Sequence, residues 1–280
     1  MLALSPFRLS AGSNSRPNPA MPEWLEIIIL GIVEGLTEFL PISSTGHLLI
    51  AQQWLSPQSE AFNVAIQSGA MLAVLMAFRE RVMELARGWR QKETRDYVHK
   101  LGFAFVITGV GGVALKVAGF ELPNEPRPIG WALFIGGVLF LIVERRLKNC
   151  ELSDDIPWKL AALIGVGQLA AAVFPGLSRS GGTILMALVF GLNRRRSIEF
   201  TFLLGVPTMF AAGGLELALE IKENGFREIE WFNLFLGAFV SAVVAFASVK
   251  WLLQFIRTRT FEAFGWYRIV VGASVLFFLR

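Results

Sequence analysis

Gly31-Ile-Val-Glu-Gly-Leu-Thr-Glu-Phe-Leu-Pro-Ile-Ser-Ser-Thr-Gly-His47 begins as an apolar helix, carries two carboxylates, and breaks at Pro41 into hydroxyls, a glycine and a histidine. Glu34 and Glu38 stand at i and i+4, so they share one helix face at neighbouring turns. Two carboxylates that close do not both ionise in an apolar setting unless a cation lies between them or one keeps a proton. A charged residue at bilayer depth costs roughly 3 kcal/mol even on the mildest insertion scale and marks function by default. The stretch reads as a site within a membrane.

Composition agrees. Of 280 residues, 54% are hydrophobic and only 17% charged, and the mean hydropathy is +0.55. That is too apolar for an ordinary soluble domain and fits a polytopic helical membrane protein. The net charge of +4 is not a nucleic-acid footprint, because Lys and Arg gather between apolar runs, where they report topology. The single cysteine, Cys150, excludes an intramolecular disulfide and a cysteine metal cage. Residues 1–20, rich in Ser, Pro, Asn and Arg, lack the apolar core of a signal peptide. They are expected to be disordered or an over-extended start, with Met21 the better beginning and 21–280 a single membrane domain.

Outward from the opening stretch, the run from Trp24 to Leu40 is helical, Pro41 breaks it, and a second run covers His47 to Leu55. That second piece is only about 12–14 Å long, under half of a hydrocarbon core of roughly 30 Å. A helix that enters, breaks at polar backbone and leaves by the same side satisfies this, provided the break lines a cavity or is buried in protein. Phe62–Phe78 is a full span, followed by a basic loop over Arg79–Lys100. Leu101–Phe120 crosses to a loop holding Glu121 and Glu125, and Trp131–Leu147 returns to Arg145, Arg146 and Lys148. Trp158–Phe174 is broken at Pro175 and resumes as a short piece, Ile184–Leu192. After Arg194-Arg195-Arg196, Glu199–Leu219 reaches an acidic loop, Trp231–Ile256 returns to Arg257 and Arg259, and Trp266–Leu279 is the last span. The basic loops fall on one side only if both broken segments are re-entrant and six other helices cross.

At an offset of 134 residues Gly31 meets Gly165, Glu34 meets Gln168, Pro41 meets Pro175 and Ser44 meets Ser178. With the first broken segment opening outward and the second inward, this predicts an inverted repeat whose half-helices meet near the membrane middle. Repeat one covers about 21–120, repeat two about 157–256, and 266–279 is an extra span. The expected fold is therefore an all-α polytopic membrane protein with two re-entrant helix–loop–helix segments and six transmembrane helices.

The second loop, Gly176-Leu-Ser-Arg-Ser-Gly-Gly-Thr183, supplies what a phosphate takes. Glycines such as Gly181 let backbone amides approach, Ser178, Ser180 and Thr183 offer hydroxyls, and a half-helix start offers its dipole. Arg179 adds a planar fork suited to phosphate oxygens. A purely structural turn, with Arg179 paired to Glu34 or Glu38, is the plainer alternative. His47, ending a hydroxyl run beside two carboxylates, points to acid–base work, whereas His99 lies among loop cations. Gly31 and Gly35 read as a close-packing helix face.

Glu34-Gly-Leu-Thr-Glu38 with Pro41-Ile-Ser-Ser-Thr-Gly-His47, and Pro175-Gly-Leu-Ser-Arg-Ser-Gly-Gly-Thr183, together resemble the two signatures of the bacitracin-resistance type of undecaprenyl-diphosphate phosphatases. The resemblance runs from Met21 onward. It implies hydrolysis of undecaprenyl diphosphate to the monophosphate, recycling the carrier lipid for peptidoglycan. It further implies a site open to the periplasmic side of the bacterial inner membrane and an assisting divalent cation, Mg²⁺ or Ca²⁺. Matched by residue, the carboxylate pair and metal ligands fall on Glu34 and Glu38, the nucleophile on Ser44, the histidine on His47 and the phosphate clamp on Arg179. Ser43, Thr45, Ser178, Ser180, Gly181 and Thr183 join Arg179 around the phosphate. Partners are then a polyprenyl diphosphate and membrane lipids, with no nucleic acid; a homo-oligomer is compatible with this and the oligomeric state is left open.

Two other readings compete. Inverted repeats of broken helices are typical of secondary transporters, so a transporter or flippase of a phosphorylated lipid stands second. Histidine-nucleophile lipid phosphatases share a short hydroxyl–Gly–His element, but they need a second histidine beyond a Ser-Arg pair, and none follows Ser178-Arg179.

Overall fold

A computed structural model describes residues 21–119 and 126–278. The expectations for residues 1–20, for the loop with Glu121 and Glu125, and for Leu279 lie outside them. Eleven α-helices follow one another among the described residues: α1 (Glu23–Thr37), α2 (Ser44–Ala51), α3 (Glu60–Ala77), α4 (Arg79–Arg87), α5 (Lys92–Val117), α6 (Pro126–Leu147), α7 (Trp158–Val173), α8 (Arg179–Val189), α9 (Arg194–Asn224), α10 (Trp231–Phe255) and α11 (Glu262–Phe278). Only an isolated bridge between Ser153 and Leu192 has β character there. The helices α5, α6, α9 and α10 are each long and apolar enough to cross a membrane, and α3 with α4 makes a fifth candidate bent by 71°.

The broken segments are where expected, with shifted ends. The first helix stops at Thr37 rather than Leu40, and Glu38 caps it, its N–H donating to the Glu34 carbonyl at 2.9 Å. The half-helices begin at Ser44 and Arg179, several residues before His47 and Ile184. Their caps explain this. Ser43 and Ser178 hold φ of 73° and 69°, and their hydroxyls accept the Gly46 and Gly181 amides at 3.3 and 3.1 Å. A capping serine accepting from the third residue on starts a helix immediately, whatever the hydropathy of its first turn. The basic stretch 79–100, expected as a loop, is instead α4, a short 3₁₀ turn at Gly88–Arg90 and the first turns of α5. Its Arg, Glu, Leu and Ala are good helix formers.

The most extensive contacts between helices run across the halves. α1 packs on α10 while α7 packs on α5; α3 meets α9, and α6 meets α11. Close approach is set by small residues: a Cβ on Gly31 or Gly35 would lie 2.9 Å from the Gly237 carbonyl or 2.6 Å from that of Ser241. The close-packing reading of those two glycines therefore fits the α1–α10 contact. The main core brings Phe39 of the first loop to 4.9 Å from Phe202 of α9, centroid to centroid, and seats that loop in the middle of the bundle.

At the end carrying the basic residues, buried Glu144 of α6 receives Arg194 Nε at 3.0 Å and the Phe261 amide at 2.9 Å. Glu199 similarly receives Arg81 Nε at 2.9 Å and Arg196 Nη1 at 3.2 Å. Some of the cations expected to mark topology thus tie helices together.

Candidate active site

The two capped half-helices aim their first residues at one carboxylate. Ser44, first in α2, donates from Oγ to Glu38 Oε2 at 2.6 Å. Arg179, first in α8, donates from Nη2 to Glu38 Oε1 at 2.7 Å. The structural match between the repeats is therefore Ser43 with Ser178 and Ser44 with Arg179, an offset of 135 rather than 134. Gly176-Leu177 stands where Ile42 stands alone, which inserts one residue between proline and cap. Pairing Ser44 with Ser178 is corrected accordingly.

Two side chains leave this cluster chemically unsatisfied. Glu34 is fully buried and neither of its oxygens has a hydrogen-bond partner. Arg179 likewise has Nε and Nη1 buried without acceptors, although Nη2 also lies 3.8 Å from Met71 Sδ. Orphaned buried donors and acceptors of this kind are rare in native proteins and ask for a ligand, an ion or water. Here a fork of free N–H groups suits phosphate oxygens. Two free carboxylate oxygens beside Glu38 form a donor set that a hard divalent cation takes.

The remaining sequence candidates divide. Ser180 is buried and bridges the loops, donating to the Glu38 carbonyl at 3.1 Å and near the Leu40 carbonyl at 3.4 Å. Thr183 donates to the Arg179 carbonyl at 2.7 Å, within its own helix. These two hydroxyls are committed to backbone carbonyls rather than turned to the open side of the cluster. Ser178 caps α8 and lies 3.2 Å from Ser180 Oγ. Gly181 supplies the capped amide of α8. Ser43 caps α2, and Thr45 is exposed with no side-chain hydrogen bond among the described residues. His47 is not hydrogen-bonded to Ser44. Its Nδ1 is 2.7 Å from the Ser43 carbonyl, which can only accept, so Nδ1 carries the proton; Nε2, 2.7 Å from Tyr267 Oη, accepts from it. The group in contact with the Ser44 hydroxyl is Glu38.

Sequence reasoning passed over three residues packed against the cluster and its loops. Tyr267 stacks on His47 at 5.6 Å. Gly205 of α9 lies against Arg179, where a Cβ would stand 1.9 Å from Nη1. Arg268 of α11 is completely buried. Of these only Arg268 carried a signal, being a lone arginine in an apolar run, where a charge is expensive.

Fold and site define a multi-pass, all-helical membrane protein with a buried polar centre at the meeting of two half-helices. Comparison with known proteins gives the family. The model described as "Bacitracin resistance protein BacA" matches residues 27–274, and the chain belongs to that family. It is 48% identical over 255 residues to a protein named undecaprenyl-diphosphatase from Rhizobium etli, covering 91% of this chain and 96% of the relative. A protein of the same name from Xanthomonas oryzae pv. oryzae is 45% identical over 260 residues, covering 92% and 98%.

Proposed function

We propose that this chain hydrolyses undecaprenyl diphosphate to undecaprenyl phosphate and inorganic phosphate, returning the carrier lipid to cell-wall synthesis and giving resistance to bacitracin. The observation that carries the chemistry is Glu38 gripping the Ser44 hydroxyl and Arg179 at once, with the other Arg179 donors free. Ser44 Oγ attacks the terminal phosphorus while its proton passes to Glu38 Oε2; undecaprenyl phosphate leaves. Water then cleaves the phosphoserine, returning the proton to Ser44 and releasing inorganic phosphate. Arg179 Nε and Nη1 hold phosphoryl oxygens, and the unpaired amides at the starts of α2 and α8 add donors. Such charge stabilisation by fixed donors is the main protein contribution to phosphoryl transfer. His47 stands outside this relay, held between Ser43 and Tyr267.

Glu34 and Glu38 would hold the divalent cation, Mg²⁺ or Ca²⁺. Among the described residues no three His, Cys, Asp or Glu side chains gather as a metal cage, so the ion would share its shell with substrate oxygens, as Mg²⁺ commonly does. When bound it neutralises charge on the diphosphate.

In the membrane, six helices (α3, α5, α6, α9, α10, α11) cross and α1–α2 and α7–α8 are re-entrant, in an inverted repeat. The exchanged pairing of α1 with α10 and α7 with α5 supports this, as does the closeness of the two half-helix starts. The site then opens to the periplasmic side of the inner membrane. The same exchange favours, as second reading, a flippase of a phosphorylated lipid. Phosphate release by detergent-purified protein given a polyprenyl diphosphate decides between them: the diphosphatase releases it, and a flippase releases none while moving lipid in vesicles.

A further inference from the structure

Arg268 lies within α11, outside both loops, with no part of it exposed. Nη1 donates to the Pro41 carbonyl at 3.0 Å. Nη2 is shared by the carbonyls of Ala132, Gly176 and Leu177, each at 3.1 Å. One guanidinium thus holds the loop before α2, the loop before α8, and α6. Room for it comes from Gly136, where a Cβ would fall 2.3 Å from Nη2, and from Gly181, 3.1 Å from Nη1. None of its hydrogen bonds goes to Glu38, Ser44 or Arg179.

We infer that Arg268 is a positioning residue for the reaction, fixing the two loops against each other so that both half-helix starts address a single diphosphate. The inference rests on the diphosphatase reading. Carbonyls at a helix break find no partner in lipid and are costly to leave bare. A guanidinium can serve several of them in one plane, which an ammonium on a flexible stem does not reproduce. The bond to the Leu177 carbonyl has a directional effect. In a trans peptide the C=O and the following N–H point opposite ways, so anchoring that carbonyl turns the Ser178 amide away from Arg268. Without the anchor that peptide is free to rotate, and the start of α8 loses its aim.

The test uses detergent-purified full-length protein with farnesyl diphosphate as probe, comparing wild type with Arg268→Lys, Arg268→Met and Gly136→Ala. The last keeps the arginine and pushes only on its flexible tip, so it supplies a folded variant to read if the substitutions of Arg268 itself fail to fold. Expected are a kcat lower by about 10²-fold, the size seen when a fixed donor is lost, and a KM within about threefold. Hydrogen–deuterium exchange should quicken in residues 41–46 and 176–182 together. A folded variant with kcat within about twofold of wild type, or quickened exchange in one loop alone, overturns the inference. If wild type releases no phosphate, the diphosphatase reading fails by itself, and the paired exchange response still decides the positioning role.

Discussion

Substituting Gly205 by alanine adds one methyl group beneath the Arg179 guanidinium. The new Cβ would stand 1.9 Å from Nη1, 2.9 Å from Cζ and 3.2 Å from Nη2. Since comfortable contact begins near 3.5 Å, Nη1 must retreat by about 1.6 Å. A displacement of that size breaks the 2.7 Å bond from Nη2 to Glu38 and swings the free Nε and Nη1 off the phosphoryl position. Misplacing a reacting group by about 1 Å costs roughly 10²-fold in rate, equivalent to about 2.7 kcal/mol of barrier. Folding is affected much less. The methyl group meets the tip of a flexible side chain, overpacking costs about 1–3 kcal/mol, and alanine returns about 1 kcal/mol over glycine in a helix. Gly205→Ala should therefore purify normally, lose only a few degrees in melting temperature, and show kcat/KM about 100-fold below wild type in a phosphate-release assay. A well-folded variant within about threefold of wild type would refute the claim that catalysis depends on where Arg179 points.

Further outcomes follow from the same cluster. Ser44→Ala should abolish turnover while keeping lipid diphosphate binding, and Glu38→Gln should lose about 10²–10⁴-fold as the proton acceptor; retention by Ser44→Ala with complete loss in His47→Ala would shift the attack to histidine. Chelation with EDTA should depress phosphate release and Mg²⁺ should restore it, and Glu34→Gln should be insensitive to both; unchanged turnover in EDTA removes the cation from the site. Arg179→Lys should be nearly as damaging as Arg179→Ala, because lysine keeps the charge without the fork, and wild-type kinetics in the lysine variant would reduce Arg179 to a point charge. Once the exposed Cys150 is replaced by serine, single cysteines at Gln58 and Arg195 should label from opposite faces of the membrane, and labelling from one face contradicts the inverted repeat.

Hydropathy and loop charge made the helices, the two breaks and the basic side legible in the sequence. Glu34, Glu38, Ser44 and Arg179 were equally legible, because ionisable and hydroxyl residues are costly in an apolar chain and stand out for that reason. Register was harder to read. The alignment of Pro41 with Pro175 carried Ser44 onto Ser178, whereas the positive φ at Ser43 and Ser178 marks the equivalent points; an inserted residue between proline and cap leaves no hydropathy trace. The hydrogen-bond partner of the Ser44 hydroxyl was hidden for a related reason. His47 is three residues further along, but the first helical turn carries it towards Tyr267 of α11, and sequence spacing within one loop says nothing about a helix 220 residues away. Gly205 was invisible because a glycine in an apolar helix looks like any other until its neighbour is known.

The pairing of α1 with α10 has a consequence for how the chain is made. Glu38 and Arg179 are 141 residues apart, and translation at about 5–20 residues per second puts roughly 7–28 s between their syntheses. During that interval the first broken segment has neither its cationic partner Arg179 nor helix α10, on which it packs. Two carboxylates in an apolar segment are costly in lipid without a partner, so the segment gains its stabilising contacts only when the second half is made. The halves of this protein are thus not two modules that fold and then dock: the first becomes a stable membrane element only when the second completes it.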